Sequence, residues 1–395
     1  MLRGYDTICL STQDWDDLWT RKQRFMLRLA RQGNRVLYVQ QQLHLAGYLR
    51  QFRAQWRRPF ISMADSRRVE ENLYIYTLPI LWPGDMMSLA ANRLNYAVIA
   101  RSLRRETARL GMRNPILWTY VPTAARLAGA LGESLVIYEC VDDFRAARGL
   151  VKREVVGQLE DALEKKADLV IVTSQHLYDL KRGKVSRLAL IPNGADVEHF
   201  AKAMAPETRI PEELHSVPQP RVGFLGSIHY WVDLDLVRYL AVARPEWSFV
   251  LVGPVGRLAN INAVSGLKNV HFMGRQPYEK LPGYLKAFDA CIVPYVPDDV
   301  AKGASPLKLY EYLAAGKPVV SVDMPEAAQF EGLVRIAGGR EEFLQALAAA
   351  VAEDDPGLVR RRMEEARRHS WEARFVQEEQ VVEQVMEETL HAHRH

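Results

Sequence analysis

The chain has 395 residues, 48% of them hydrophobic and 25% charged, with a formal net charge of +4. That composition supports a sizeable core divided between two domains and excludes a disordered, collagenous or disulfide-stapled chain. A modest charge without any nucleic-acid motif excludes nucleic acid as the expected partner. The three cysteines, Cys9, Cys140 and Cys291, each lie in or beside an apolar strand run, so they read as buried free thiols rather than disulfides or metal ligands, and no metal is expected.

In chain order, the N-terminus runs straight into a strand at 5–10 with no signal-peptide pattern, and a cytosolic protein is expected. Further strands are expected at 35–40, 73–78, 115–120, 135–139, 169–173 and 188–191, alternating with helical segments such as 21–31. The stretch 73–100 is the most apolar, but Asp85, Asn92 and Arg93 interrupt it, so it does not read as a membrane-spanning helix. Residues 21–60 hold ten Lys or Arg and no acid, with Tyr48, Phe52, Trp56 and Phe60 set among Arg50, Arg53, Arg57 and Arg58. Such a segment reads either as a solvated basic face or as a ridge lying on an anionic membrane, each basic residue then adding about 1 kcal/mol. Residues 201–220, rich in Pro, Glu and Ala and without an apolar period, read as a linker.

Strand runs then return at 221–227, 249–254, 270–275, 290–295 and 319–323, several closing on Gly, with helical spacing between them at 233–243 and 278–288. The order strand, helix, strand predicts a doubly wound parallel sheet, in which ligands bind beyond the carboxyl ends of the strands. Ser227, Gly253, Gly274 and the helix that opens after Ser305 fall at that edge, with Arg275 beside them. In the run SPLKLYEYLAAGKPVV, Ser305 reads as an N-cap, Pro306 suits the first helical position, and Gly316 followed by Pro318 is a stop. The helix is therefore expected at about 306–315 and sets Lys308 and Glu311 on one face near its positive end, a place for a phosphate and a sugar hydroxyl pair, although the same two residues would also make an ordinary surface ion pair. An acidic amphipathic helix at 371–390 comes after the last strand and is expected to pack back on the first domain.

Candidate groups in the first half are Asp142 and Asp143, just past the strand 135–139, where one would accept a proton from an acceptor hydroxyl and the other cap the next segment. Asp14 and Trp15 come after the first strand, and Trp15 also reads as simple loop packing. His229 reads as a loop histidine. A nicotinamide dehydrogenase is excluded, because the first strand runs into STQDWDD, with none of the glycines a dinucleotide pyrophosphate needs.

Together, the segment IPNGAD at 191–196, the run SPLKLYEYLAAGKPVV, Trp15, Arg21-Lys22-Gln23, Tyr138 to Asp143 and Trp371 resemble GT-B fold glycosyltransferases, particularly bacterial polysaccharide-building members related to teichuronic acid biosynthesis. The resemblance covers nearly the whole chain. It implies two Rossmann-like domains, 1–200 for the acceptor (with 371–395 packed back on it) and 221–370 for the nucleotide sugar. It implies a nucleoside-diphosphate sugar as donor with no cofactor or metal, and a lipid-linked or polysaccharide acceptor at the cytoplasmic face of the membrane. Glu311 takes the position of the family acid that grips the ribose. Ser227, Gly253, Arg275, Ser305, Leu307 and Lys308 would line the donor site, and Asp14, Trp15 and Arg21 the acceptor side. The chain departs from the pattern where the first family acid is replaced by Gly303, and where an Arg and a Lys after the first strand of the second domain are replaced by Ser227 and, six residues on, Asp233. Those departures leave a catalytically silent nucleotide-binding subunit as the alternative.

Overall fold

The computed structural model describes residues 2–17, 19–40, 65–145, 152–297 and 303–392. The chain forms two compact units, Met1–Ile191 with Phe375–His395, and Pro192–Arg374. Each is built on a largely parallel sheet whose central strands are short apolar runs buried along their length, as expected where helices cover both faces.

The first sheet has the order β3-β4-β2-β1-β5-β6-β7-β8, from β1 (Asp6–Leu10), β2 (Arg35–Val39), β3 (Asp65–Glu70), β4 (Leu73–Thr77), β5 (Ile116–Thr119), β6 (Leu135–Cys140), β7 (Leu169–Val172) and β8 (Leu188–Leu190). All of its pairings are parallel except the hairpin of β3 with β4. Its helices are α1 (Arg21–Arg31), α2 (Leu89–Arg109), α3 (Arg153–Glu164) and α4 (Gln175–Lys181). The strand order reverses between β1 and β5. The second sheet is wholly parallel in the order β11-β10-β9-β12-β13-β14, from β9 (Arg221–Leu225), β10 (Ser248–Val252), β11 (Val270–Gly274), β12 (Ala290–Val293), β13 (Val319–Val322) and β14 (Val334–Ala337). Here the reversal lies between β9 and β12. The helices of this unit are α5 (Val197–Ala201), α6 (Leu234–Ala243), α7 (Leu281–Ala287), α8 (Leu307–Ala314), α9 (Pro325–Ala328), α10 (Arg340–Val351) and α11 (Pro356–Arg368), and α12 (Trp371–Ala392) opens at its end.

From Phe375 onward α12 belongs to the first unit. Phe375 packs edge-on against Phe25 of α1 with ring centroids 5.7 Å apart, and Glu379 accepts the Leu2 N–H at 2.8 Å. The linker reading of 201–220 is corrected. These residues lie in the second unit, where Ala203, Leu214 and Val217 are buried and the Arg221 guanidinium donates to the Val217 carbonyl at 2.9 Å. The turns at Lys202–Met204 and Glu212–Leu214 are single 3-10 turns, too short to show an apolar period. Of the basic stretch, residues 41–60 lie outside the described residues. Its start does not form an outward ridge, since Arg21, Lys22 and Gln23 are buried and Arg31 pairs with Glu70. Cys9, Cys140 and Cys291 are buried free thiols, and burial raises all three, Cys140 and Cys291 to about 12.

Candidate active site

In the second unit the reversal between β9 and β12 brings three loops to one place, the crevice that an open parallel sheet offers to a ligand. Gly226 lies just past β9 with φ +132°, and Gly253 just past β10 with φ +146°. Their backbones press together: a Cβ on Gly253 would overlap the Gly226 carbonyl group, 2.6 Å from its carbon, so only glycine fits. A Cβ on Gly226 would come within 3.1 Å of the Lys308 Cε, so that glycine leaves room for the lysine stem.

Lys308 enters from α8, whose apolar residues Leu309, Tyr310, Tyr312 and Leu313 are fully buried, each stabilising the docking by roughly 1.5–3 kcal/mol. The Tyr312 hydroxyl accepts the Leu225 N–H at 2.7 Å, which ties α8 to the end of β9. Lys308 is 8% exposed. Its ammonium lies 2.5 Å from the Tyr295 hydroxyl and over the rings of Phe224 and Tyr295, 5.1 and 4.7 Å from their centroids. No carboxylate balances it among the described residues. A nearly buried cation whose partners among the described residues are a phenol and two π faces is poised for an anion. Glu311 lies one turn further along α8 and is half-buried.

Ser305 is not the helix cap expected of it. The N-cap residue is Pro306, and α8 starts at Leu307. The Ser305 Oγ instead accepts the Asn193 N–H at 3.2 Å, while the Asn193 amide donates to the Ser305 carbonyl at 2.8 Å. The segment around Asn193 thus belongs to the second unit and fixes the start of the motif helix. Ser227 is exposed in the loop after β9. Asp233 caps α6 by accepting the Leu236 N–H at 2.8 Å. Arg275 is exposed after the edge strand β11, two strands from β9. His229 stacks on Trp231 at 4.4 Å, and burial lowers its pKa, so it is neutral near pH 7.

In the first unit the reversal between β1 and β5 gathers a second set of groups. Asp14 is exposed after β1, whereas Trp15 is buried, edge-on to Tyr38 and Trp19 at 5.1 and 5.0 Å, which makes it a packing residue. Arg21 is corrected as an acceptor contact. It is 2% exposed, ion-paired to Glu139 and to Glu378 (2.9 Å), and donates to the Ile191 carbonyl at 3.0 Å. Glu139 also accepts the Trp118 indole N–H at 2.8 Å. Asp142 is accessible to solvent past β6 yet densely surrounded; desolvation raises its carboxyl, Lys22 pulls it down, and Asp143 raises it. Asp143 accepts the Arg145 N–H at 3.0 Å, a local turn bond.

The two doubly wound units define a GT-B fold. Over 97% of this chain and 99% of the other, it superposes on sucrose-phosphate synthase of Thermosynechococcus elongatus with a TM-score of 0.73 at 18% identity. The alpha,alpha-trehalose-phosphate synthase (UDP-forming) of Burkholderia vietnamiensis matches at 0.69 and 13% identity, over 98% of this chain and 100% of that one. Residues 219–353 match the family model of the glycosyl transferases group 1, so this part of the chain is a glycosyltransferase group 1 domain. It is 27% identical over 229 residues to TuaH of Bacillus subtilis (strain 168), a glycosyltransferase named for teichuronic acid biosynthesis, a match spanning 54% of this chain and 57% of the relative.

Proposed function

We propose that the protein transfers a sugar from a nucleoside-diphosphate donor to a hydroxyl of a lipid-linked or polysaccharide acceptor at the cytoplasmic face of the membrane. The observation that carries the reading is Lys308. A buried cation with no carboxylate partner among the described residues, at the switch point of the sheet matched by the family model, is where negative charge on a departing diphosphate would be neutralised. The proposal gives that task to Lys308 and α8 rather than to a metal ion or cofactor. Glu311 binds the ribose hydroxyls, and Asp142, with its raised carboxyl, receives the acceptor proton if configuration is inverted. The E. coli structure described as bound with UDP-2-fluoro glucose, similar in fold at a TM-score of 0.69, supports a nucleotide sugar as donor.

The test is calorimetric titration with UDP, GDP, ADP and TDP, on the parent and on Glu311→Gln. One nucleotide should bind the parent, and the variant should lose roughly 1.5–3 kcal/mol because the charge-assisted bonds to ribose weaken. Equal affinities would remove Glu311 from the site. Binding without any sugar transfer would favour the silent-subunit alternative, for which Gly303 and the capping role of Asp233 speak.

Support for the membrane comes from α2. Leu94 and Val98 are 64% and 46% exposed and share a helical stripe with Arg101 and Arg105, while Trp82 nearby in sequence is 66% exposed. The single acid of α2, Glu106, is paired with Arg109 at 2.6 Å. Mixed apolar and cationic exposure suits anionic lipid, and among the described residues no helix is long and apolar enough to cross a membrane. In co-sedimentation the protein should pellet with anionic vesicles at low salt and not with neutral ones, and combined Leu94→Ser, Arg101→Ser and Arg105→Ser changes should abolish pelleting. Equal pelleting of parent and variant would contradict the assignment.

A further inference from the structure

We infer that the Tyr295 hydroxyl is a second hydrogen-bond donor to the diphosphate that Lys308 receives, so that phenol and ammonium grip it as a pair; this rests on the nucleotide-sugar reading proposed above. Tyr295 lies two residues past β12, across the sheet reversal from Gly226. Its backbone is fixed on both sides by the loop that follows β9. The Asp233 N–H donates to the Pro294 carbonyl at 2.7 Å, the Val296 N–H donates to the Trp231 carbonyl at 2.8 Å, and Tyr295 itself pairs with Val232 as an antiparallel bridge. Asp233 also caps α6, which ties the same loop to a helix of the unit. Shifting the ring would break these backbone bonds, so the hydroxyl is held in place before any ligand arrives.

An ammonium only donates, so in the 2.5 Å contact with Lys308 the Tyr295 oxygen accepts. The phenol's own O–H is left over, and among the described residues no acceptor takes it. Accepting from a cation polarises that O–H and makes it a better donor. Lys308 directs one of its three protons at Tyr295 and otherwise meets the faces of Phe224 and Tyr295. Two neighbouring groups with protons to give suit one acceptor that carries several oxygens, and a phosphate is such a group. Tyr295 and Lys308 are 7% and 8% exposed, so water competes little for either. Approach is open over Gly226: a Cβ there would stand 3.4 Å from the ammonium, and glycine leaves no side chain in the way. As the glycosidic bond breaks, its electron pair passes to the leaving diphosphate oxygen, and both donors tighten on that growing charge. The proton stays on Tyr295 throughout.

The experiment uses the full chain, Tyr295→Phe, which keeps the ring beside Lys308 and removes only the hydroxyl, Lys308→Met, and the double variant. Thermal unfolding is measured first to establish that all four fold. Each is then titrated with UDP, GDP, ADP and TDP, with the matching nucleosides, and with inorganic pyrophosphate, followed by ligand-observed NMR so that weak binding is read. The nucleoside diphosphate that binds the parent should bind Tyr295→Phe at least about tenfold more weakly, while its nucleoside should be indifferent to the change. The double variant separates contact from positioning. A hydroxyl that touches the diphosphate still matters once the ammonium is gone, so the double variant should bind at least about threefold more weakly than Lys308→Met. A double variant no weaker than Lys308→Met, or equal affinities of parent and Tyr295→Phe, overturns the inference and leaves the nucleotide-sugar reading intact. Pyrophosphate that binds the parent and weakens in Tyr295→Phe, with no nucleoside diphosphate bound, supports the two-donor grip and sinks the nucleotide reading alone. Binding of neither probe to the parent sinks both.

Discussion

Lys308→Met is expected to lower sugar transfer by about 10²–10³, the range found when one preorganised donor to a developing negative charge is removed. The fold should lose nothing comparable. Among the described residues Lys308 has no ion pair to break, its stem is retained in Met, and the loss of a nearly buried charge offsets the lost contact with the Tyr295 hydroxyl and the two rings. The effect should fall on kcat more than on KM, because the diphosphate gains charge as the glycosidic bond breaks. A variant with near-parent turnover would leave neutralisation to another group, with Arg275 the nearest candidate in sequence to the strand ends.

Arg21→Met is expected to produce the largest loss of stability, about 3–5 kcal/mol, as breaking one partner out of a buried ion network leaves uncompensated charge. Glu139 and Glu378 would then face one another with no cation between them, both nearly inaccessible to water. The pH dependence has a definite sign. A carboxyl whose folded pKa lies above its unfolded value binds a proton more readily in the folded state, so it favours folding at low pH and costs stability as pH rises through that raised value. Glu378 is already in this condition in the parent, through desolvation and Glu139, with Arg21 opposing. Without Arg21 the rise is larger, and the deficit of the variant should shrink on going from pH 8 to pH 5. Denaturant melts at the two pH values check this; equal deficits, or none, would show that Arg21 does not hold the network together.

The parts of the fold legible in the sequence are those with a clear apolar period. The strands expected in both sheets fall within one or two residues of their observed ends, and α1 coincides with 21–31. β3 escapes notice because DSRRVE carries no apolar alternation, as suits an antiparallel edge strand facing solvent, and β14 because the arginine in VRIA breaks the apolar run of a half-buried edge strand. Ser305 looks like a cap because Ser before Pro fits that pattern locally, while its true partner, Asn193, lies 112 residues away. Sequence distance also decides which functional groups can be read in advance. Lys308 and Glu311 lie on a single short helix, so one stretch of sequence announces them. The Arg21–Glu139–Glu378 network joins residues as far as 357 positions apart, and the only local hint is a glutamate inside the apolar run LVIYEC. The burial of Lys22 is hidden in the same way, since an Arg-Lys pair at a helix start looks like surface charge.

The measurement that bears most directly on the donor site is a crystal structure with the tightest-binding nucleoside diphosphate. The predicted result is a diphosphate oxygen within hydrogen-bond reach of the Lys308 ammonium, beside Gly226 and Gly253, with the ribose hydroxyls on Glu311. A diphosphate bound elsewhere, with Lys308 still against Tyr295 and Glu311 away from the ribose, would contradict it.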